Sequence, residues 1–170
     1  MNEGKKFEED FKKSIPSNIL LYRLKDPAQG FGNSTNTRFS LHNECDYFLY
    51  KNPNLIPIEL KTTDKKSLTF AREKEDGSKQ IKLCQINGLK RLNEFDGVCS
   101  GFIFNFRKDE ITYWLGINNF LEFYNNTEKK SINIDDVVHG GGIKIEQTKI
   151  RVRNRYNVID VIDLILKGGE

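Results

Sequence analysis

Three charged side chains fall where charge is costly, inside apolar stretches: Asp46, Glu59 and Lys61. Residues 45–50 and 55–61 read as two strands, and Lys51-Asn52-Pro53-Asn54 between them reads as a turn. A hairpin closed by that turn sets the start of the first strand beside the end of the second, so Asp46 comes near Glu59. Side chains alternate across a strand, which gives Glu59 and Lys61 one face and Ile58 and Leu60 the other. Two carboxylates and an ammonium at a hairpin end suit a hard divalent cation, Mg²⁺ or its substitute Mn²⁺. The matching chemistry is phosphodiester hydrolysis. It needs charge neutralised on the scissile phosphate and a water made nucleophilic at neutral pH. In this reading Asp46, Glu59 and the backbone carbonyl of Leu60 hold the metal. Lys61 orients the attacking water and stabilises charge on the phosphate oxygens.

The spacing of Glu59 and Lys61 is not diagnostic by itself. An acid two residues before a lysine occurs five times, as Glu3/Lys5, Asp10/Lys12, Glu59/Lys61, Asp64/Lys66 and Glu128/Lys130. Only the third lies in an apolar strand, and a surface ion pair at a strand end is the alternative to a site.

The elements that would position these groups follow from periodicity. Phe7, Phe11 and Ile15 recur every four residues and predict an amphipathic helix over 5–15, closed by Pro16. On that helix Glu8 falls about 60° from the centre of the apolar stripe, Asp10 about 100° and Glu9 about 160°. Glu8 is therefore the acid expected to reach the sheet, and Glu9 is expected in solvent. Residues 19–24 read as a buried strand, and 27–40 as a flexible loop or stalk without periodicity. A charged segment over 64–78 leads to a helix at about 79–94, where Ile81, Gln85, Leu89 and Leu92 share one face. Gln85 interrupts that apolar face, and its amide needs partners there, whether nearby backbone or a site. Strands follow at 98–106 and 110–115, then a helix at 117–124, a strand-like stretch over 143–156 and a last helix at 158–166. The order describes one α/β domain over residues 1–170, a mixed sheet flanked by helices.

Asp46, thirteen residues before Glu59-Leu60-Lys61, resembles the PD-(D/E)XK nuclease signature. The separation is typical of Holliday junction resolvases of the archaeal Hjc and bacterial RecU types. Cys45 stands where that family usually has proline. The resemblance implies a restriction-endonuclease-like fold and a Mg²⁺-dependent endonuclease acting on four-way DNA junctions. It also implies a glutamate on the first helix as a further metal ligand, which Gly4-Lys5-Lys6-Phe7-Glu8 matches. A glutamine on the helix after the hairpin orders the site in such resolvases, which makes Gln85 a catalytic residue beside Glu8, Asp46, Glu59 and Lys61. It implies a stalk before the aspartate, with Arg38 as a DNA contact. A homodimer is implied as well, because two symmetric nicks resolve a junction.

Composition narrows the remaining classes. A net charge of +3 does not diagnose a nucleic-acid partner, but its distribution does more. Lys144, Lys149, Arg151, Arg153 and Arg155 oppose the single acid Glu146, and the three arginines alternate as on one strand face. That pattern fits a phosphate-backbone contact. A charge-protected edge strand fits it equally. Lys65 and Lys66 would flank the cleavage site. Cys45, Cys84 and Cys99 form no CxxC pair and read as reduced thiols. No membrane span or apolar leader is evident, so the chain reads as cytoplasmic. His139-Gly140-Gly141-Gly142 resembles an esterase oxyanion loop, yet no GxSxG or P-loop motif accompanies it. A restriction-like or single-strand-processing nuclease of the same fold, and a non-catalytic DNA-binding module, are the alternatives to a resolvase.

Overall fold

The computed structural model describes residues 2–24, 43–74 and 76–167. Its helices are α1 (Glu3–Lys12), α2 (Leu83–Leu92), α3 (Ile117–Asn126), α4 (Ile134–His139) and α5 (Val158–Lys167). The strands are β1 (Leu20–Arg23), β2 (Tyr47–Lys51), β3 (Asn54–Thr63), β4 (Ser67–Thr69), β5 (Gly101–Phe106), β6 (Ile111–Gly116), β7 (Ser131–Asn133), β8 (Ile143–Ile145), β9 (Gln147–Ile150) and β10 (Arg153–Tyr156).

Six strands form one mixed sheet in the order β1-β2-β3-β5-β6-β8. β3 and β5 run parallel, and every other neighbouring pair runs antiparallel. The parallel step requires a crossover, and the chain makes it through α2. β5 is buried along its whole length, so both sheet faces are covered. Ile103 joins Ile56, Ile58, Leu60, Phe7, Phe11 and Val161 in one core layer, beneath α1 and α5. Phe102, Phe104 and Phe106 turn the other way, onto Ile86 and Leu89 of α2 and Phe120 of α3. This is the expected mixed sheet flanked by helices.

Several boundaries differ from the periodic pattern. α1 begins at Glu3 because the Asn2 side chain accepts from the Gly4 N–H, and it stops at Lys12, leaving Ile15 outside the helix. The stretch over 143–156 is three short strands rather than one. β9 and β10 form a separate ribbon that turns at Arg151, whose φ is 58°. β4 and β7 pair as a second ribbon, and neither strand nor α4 shows in the periodicity. His139-Gly140-Gly141-Gly142 closes α4 as a turn: Gly140 and Gly142 donate to the carbonyls of Asp136 and Val137, and Gly141 has φ of 81°. Among the described residues no disulfide joins the three cysteines, and no helix is long and apolar enough to cross a membrane. The segment 27–40 and Arg38 lie outside the described residues.

Candidate active site

The β2–β3 hairpin sets the geometry. Tyr47 pairs with Ile58, and the register continued by one residue places Asp46 opposite Glu59. The Asp46 N–H donates to the Ile58 carbonyl at 3.1 Å. Its carboxylate Oδ2 accepts from the Leu60 N–H at 2.8 Å, which clamps the side chain across the strand end. Glu59 and Lys61 share a face as alternation requires, with Lys61 Nζ 2.8 Å from Glu59 Oε1. The same oxygen accepts a bond from the Gln85 amide Nε2. Gln85 Oε1 accepts from the Lys82 N–H at 3.0 Å, so one side chain ties the start of α2 to the carboxylate.

α2 reaches this position through a small residue. A Cβ on Gly88 would stand 2.7 Å from Glu44 Cβ and 2.9 Å from its Cα, so only glycine lets the helix lie on the segment before Asp46. Arg91 of the same helix pairs with the Glu44 carboxylate.

Glu8 arrives from the opposite layer. α1 packs over Ile58 and Leu60, whereas Glu59 stands level with Phe102, a residue of the α2 side. Glu8 Oε2 lies 3.4 Å from the Tyr47 hydroxyl, which donates to it, and 3.4 Å from Arg23 Nη2 at the end of β1. Elements of both layers thus meet at the end of the sheet, where Glu8, Asp46, Glu59 and Gln85 line one open cleft of about 220 Å³. Arg23, Lys82, Cys45 and Cys84 line it as well.

Burial shapes the electrostatics. The Glu59 side chain is 3% exposed, and removal from water pushes its carboxyl up to about 7. Asp46 adds to that rise, while Lys61 opposes it. Burial raises the Asp46 carboxyl too, against the pull of the Leu60 N–H and Lys61. The Tyr47 hydroxyl is raised to about 12 by burial and then by the Glu8 charge. A carboxyl poised near neutrality, as Glu59 is by desolvation and by the charge of Asp46, is suited to exchanging a proton for a metal ion. The carboxylate and carbonyl oxygens suit Mg²⁺, and burial pushes the Cys45 thiol up, away from the thiolate that a soft cation prefers. As they stand, no three Asp, Glu, His or Cys side chains among the described residues close around a single ion position. Asp46, Glu59 and Glu8 each turn an oxygen to a protein donor instead.

A model of the family Recombination protein U, RecU, matches residues 8–163, spanning the cleft and both layers. The chain belongs to the RecU family. A similar curated protein is the SPbeta prophage-derived uncharacterized protein YotM of Bacillus subtilis (strain 168). The two are 34% identical over 134 residues, covering 76% of this chain and 63% of that protein. The chain thus spans somewhat less than two thirds of the relative's length. The fold is similar to that of Hjc from Archaeoglobus fulgidus, with a TM-score of 0.50 at 15% identity over 83% of this chain and 95% of the other. The resemblance carried by Asp46, Glu59 and Lys61 therefore holds for family and fold.

Other expectations for this RecU-family chain meet a different geometry. Asp10, not Glu8, is the most buried acid of α1, at 2% exposure. The wheel could not show that β10 packs on that flank. Asp10 accepts from the Asn154 N–H at 3.0 Å and pairs with Arg153 at 3.2 Å. Glu9 is not simply solvated, since Arg153 pairs with it at 3.2 Å. Arg153 therefore holds the ribbon to α1. Arg151 lies in the turn, so the three arginines do not lie along one strand; Arg153 and Arg155 alternate on β10. Lys65 and Lys66 are exposed between β3 and β4. Arg23, Tyr47 and Lys82 join the cleft without a motif of their own. Tyr47 adjoins Asp46 and Lys82 lies one turn before Gln85, but nothing in the sequence marks Arg23.

Proposed function

We propose that this chain is a Mg²⁺-dependent endonuclease that cuts four-way DNA junctions, acting as a homodimer that makes symmetric nicks. The observation that carries the reading is Asp46 set opposite a buried Glu59 and clamped on the Leu60 N–H, with Lys61 on the Glu59 carboxylate. A buried acid with an elevated proton affinity inside a strand is expensive to keep, and phosphodiester hydrolysis gives it a use. The family supports the choice of DNA as substrate, and the similar A. fulgidus protein is described as a Holliday junction resolvase.

Asp46, Glu59 and the Leu60 carbonyl would hold the metal, with Glu8 as the third carboxylate of the cleft. Two protein carboxylates suffice for Mg²⁺, which retains several of its waters. Bound there, Mg²⁺ supplies an activated water and neutralises charge on the scissile phosphate. Lys61, 2.8 Å from the Glu59 carboxylate, would stabilise charge growing on the phosphate oxygens. Gln85 holds Glu59 in place throughout. Lys65, Lys66, Arg151 and Arg155 are the side chains proposed to meet the backbone of the DNA arms. Arg153 is committed to Asp10 and Glu9. A dimer places two such clefts about a twofold axis, as symmetric nicking needs.

The test is a substrate panel: purified protein with Mg²⁺ or Mn²⁺ against a mobile four-way junction, a linear duplex and a single strand. Paired nicks confined to the junction are expected. Preferential cutting of linear duplex would point to a restriction-like enzyme, and preferential cutting of the single strand to a processing enzyme. Binding without cutting would point to a DNA-binding module.

A further inference from the structure

Three carboxylates line the cleft, and two cations line it with them: Arg23 and Lys82. Lys61 is not part of that lining and is bound to Glu59. Arg23 is bound to Glu8. Among the described residues Lys82 has no carboxylate within ion-pair distance, although it faces the same acidic cleft. We propose that Lys82 is a second phosphate contact of the cleft, taking a non-bridging oxygen of the DNA strand that is cut. The proposal rests on the reading of the cleft as a nuclease site and adds a residue to it.

The residue type argues for a ligand. Lys82 occupies the position immediately before α2, where side chains that accept from the helix N–H groups are favoured. Lysine has no acceptor to give the helix N–H groups, so the side-chain bond at the start of α2 comes from Gln85 rather than from Lys82. A positive residue at this position is also disfavoured by the positive end of the helix, where a carboxylate would be preferred. Lysine therefore serves α2 poorly on two counts, so its use lies outside the helix. Its backbone is fixed with respect to the reacting groups: the Lys82 N–H is held by Gln85, whose amide holds Glu59. The side chain is half-buried, so less of its freedom remains to be lost on contact. A compact ammonium with three donors suits a phosphate oxygen. It would also offset the repulsion that three carboxylates exert on an incoming DNA strand.

The experiment compares the full-length protein with Lys82→Ala, Lys82→Arg and Lys90→Ala, the last an exposed lysine of the same helix. Junction affinity is measured without metal across a salt series, and single-turnover cleavage with Mg²⁺. Circular dichroism checks that each variant folds. Loss of one phosphate contact makes the slope of log affinity against log salt shallower by about 0.9 in Lys82→Ala. Lys82→Arg retains the slope, Lys90→Ala leaves it unchanged, and the Mg²⁺ dependence of cleavage stays where it was. An unaltered slope in Lys82→Ala, or an equal change in Lys90→Ala, overturns the proposal. If the unmodified protein cuts no DNA, the nuclease reading falls. The metal-free binding series still decides whether Lys82 meets phosphate.

Discussion

At the scale of single residues, Glu59 is a costly side chain to bury. It is buried, it faces Asp46, and its oxygen is held by Lys61 and Gln85. Burial raises its proton affinity to about 7 from 4.5, so between those values the folded chain binds a proton that the unfolded chain has released. Stability from this group is therefore present at low pH and declines as pH climbs from 4.5 to 7. Denaturant titrations in EDTA should show the unmodified protein losing stability from pH 5 to pH 8 relative to Glu59→Gln. Parallel pH profiles would show that Glu59 is not desolvated. Added Mg²⁺ should oppose the loss, because it binds the ionised form. The sequence made this cluster legible because strand alternation and the hairpin turn depend on local spacing alone. Asp46, Glu59 and Lys61 needed nothing more distant. Tyr47 and Arg23 were not legible as partners of Glu8, because that contact joins segments 39 residues apart for Tyr47.

At the scale of elements, the cleft exists because two helices on opposite sheet faces reach the same strand end. α2 does so by pressing on residue 44, and Gly88 is what allows it. Gly88→Ala would set a methyl group against the Glu44 backbone and push α2 outward, taking Gln85 from Glu59. A loss of about 1–3 kcal/mol is expected by calorimetry, as for other overpacked sites. Cleavage should fall further than stability alone explains when both are measured well below the melting temperature. A variant that melts like the parent and cuts as fast would show that the close approach is not needed. On the other face, α1 is held by Asp10, Arg153 and Ser14, the last accepting from the Tyr156 N–H at 3.0 Å. The order and type of helices and long strands were readable from periodicity. The β9–β10 ribbon was not, since alternation over 143–156 continues through the break at Arg151 and only packing on α1 reveals it. That is why Asp10 was expected away from the core.

At the scale of the whole molecule, a mixed sheet with helices on both faces leaves one end open, and the Glu8, Asp46 and Glu59 carboxylates stand there. Several of the basic residues are already paired, Arg153 with Asp10 and Glu9, Lys144 with Glu146 and Lys149 with Glu110, while Lys65 and Lys66 are exposed beyond β3. DNA is therefore expected to meet several small contacts around the cleft rather than one basic strand. The most direct measurement is single-turnover cleavage of a four-way junction in Mg²⁺ by Asp46→Asn, which keeps an acceptor for the Leu60 N–H but removes the charge. Cleavage should fall by about 10²-fold or more with junction affinity nearly unchanged, as when a group stabilising the transition state is lost. Turnover equal to that of the parent protein would contradict the account at its centre.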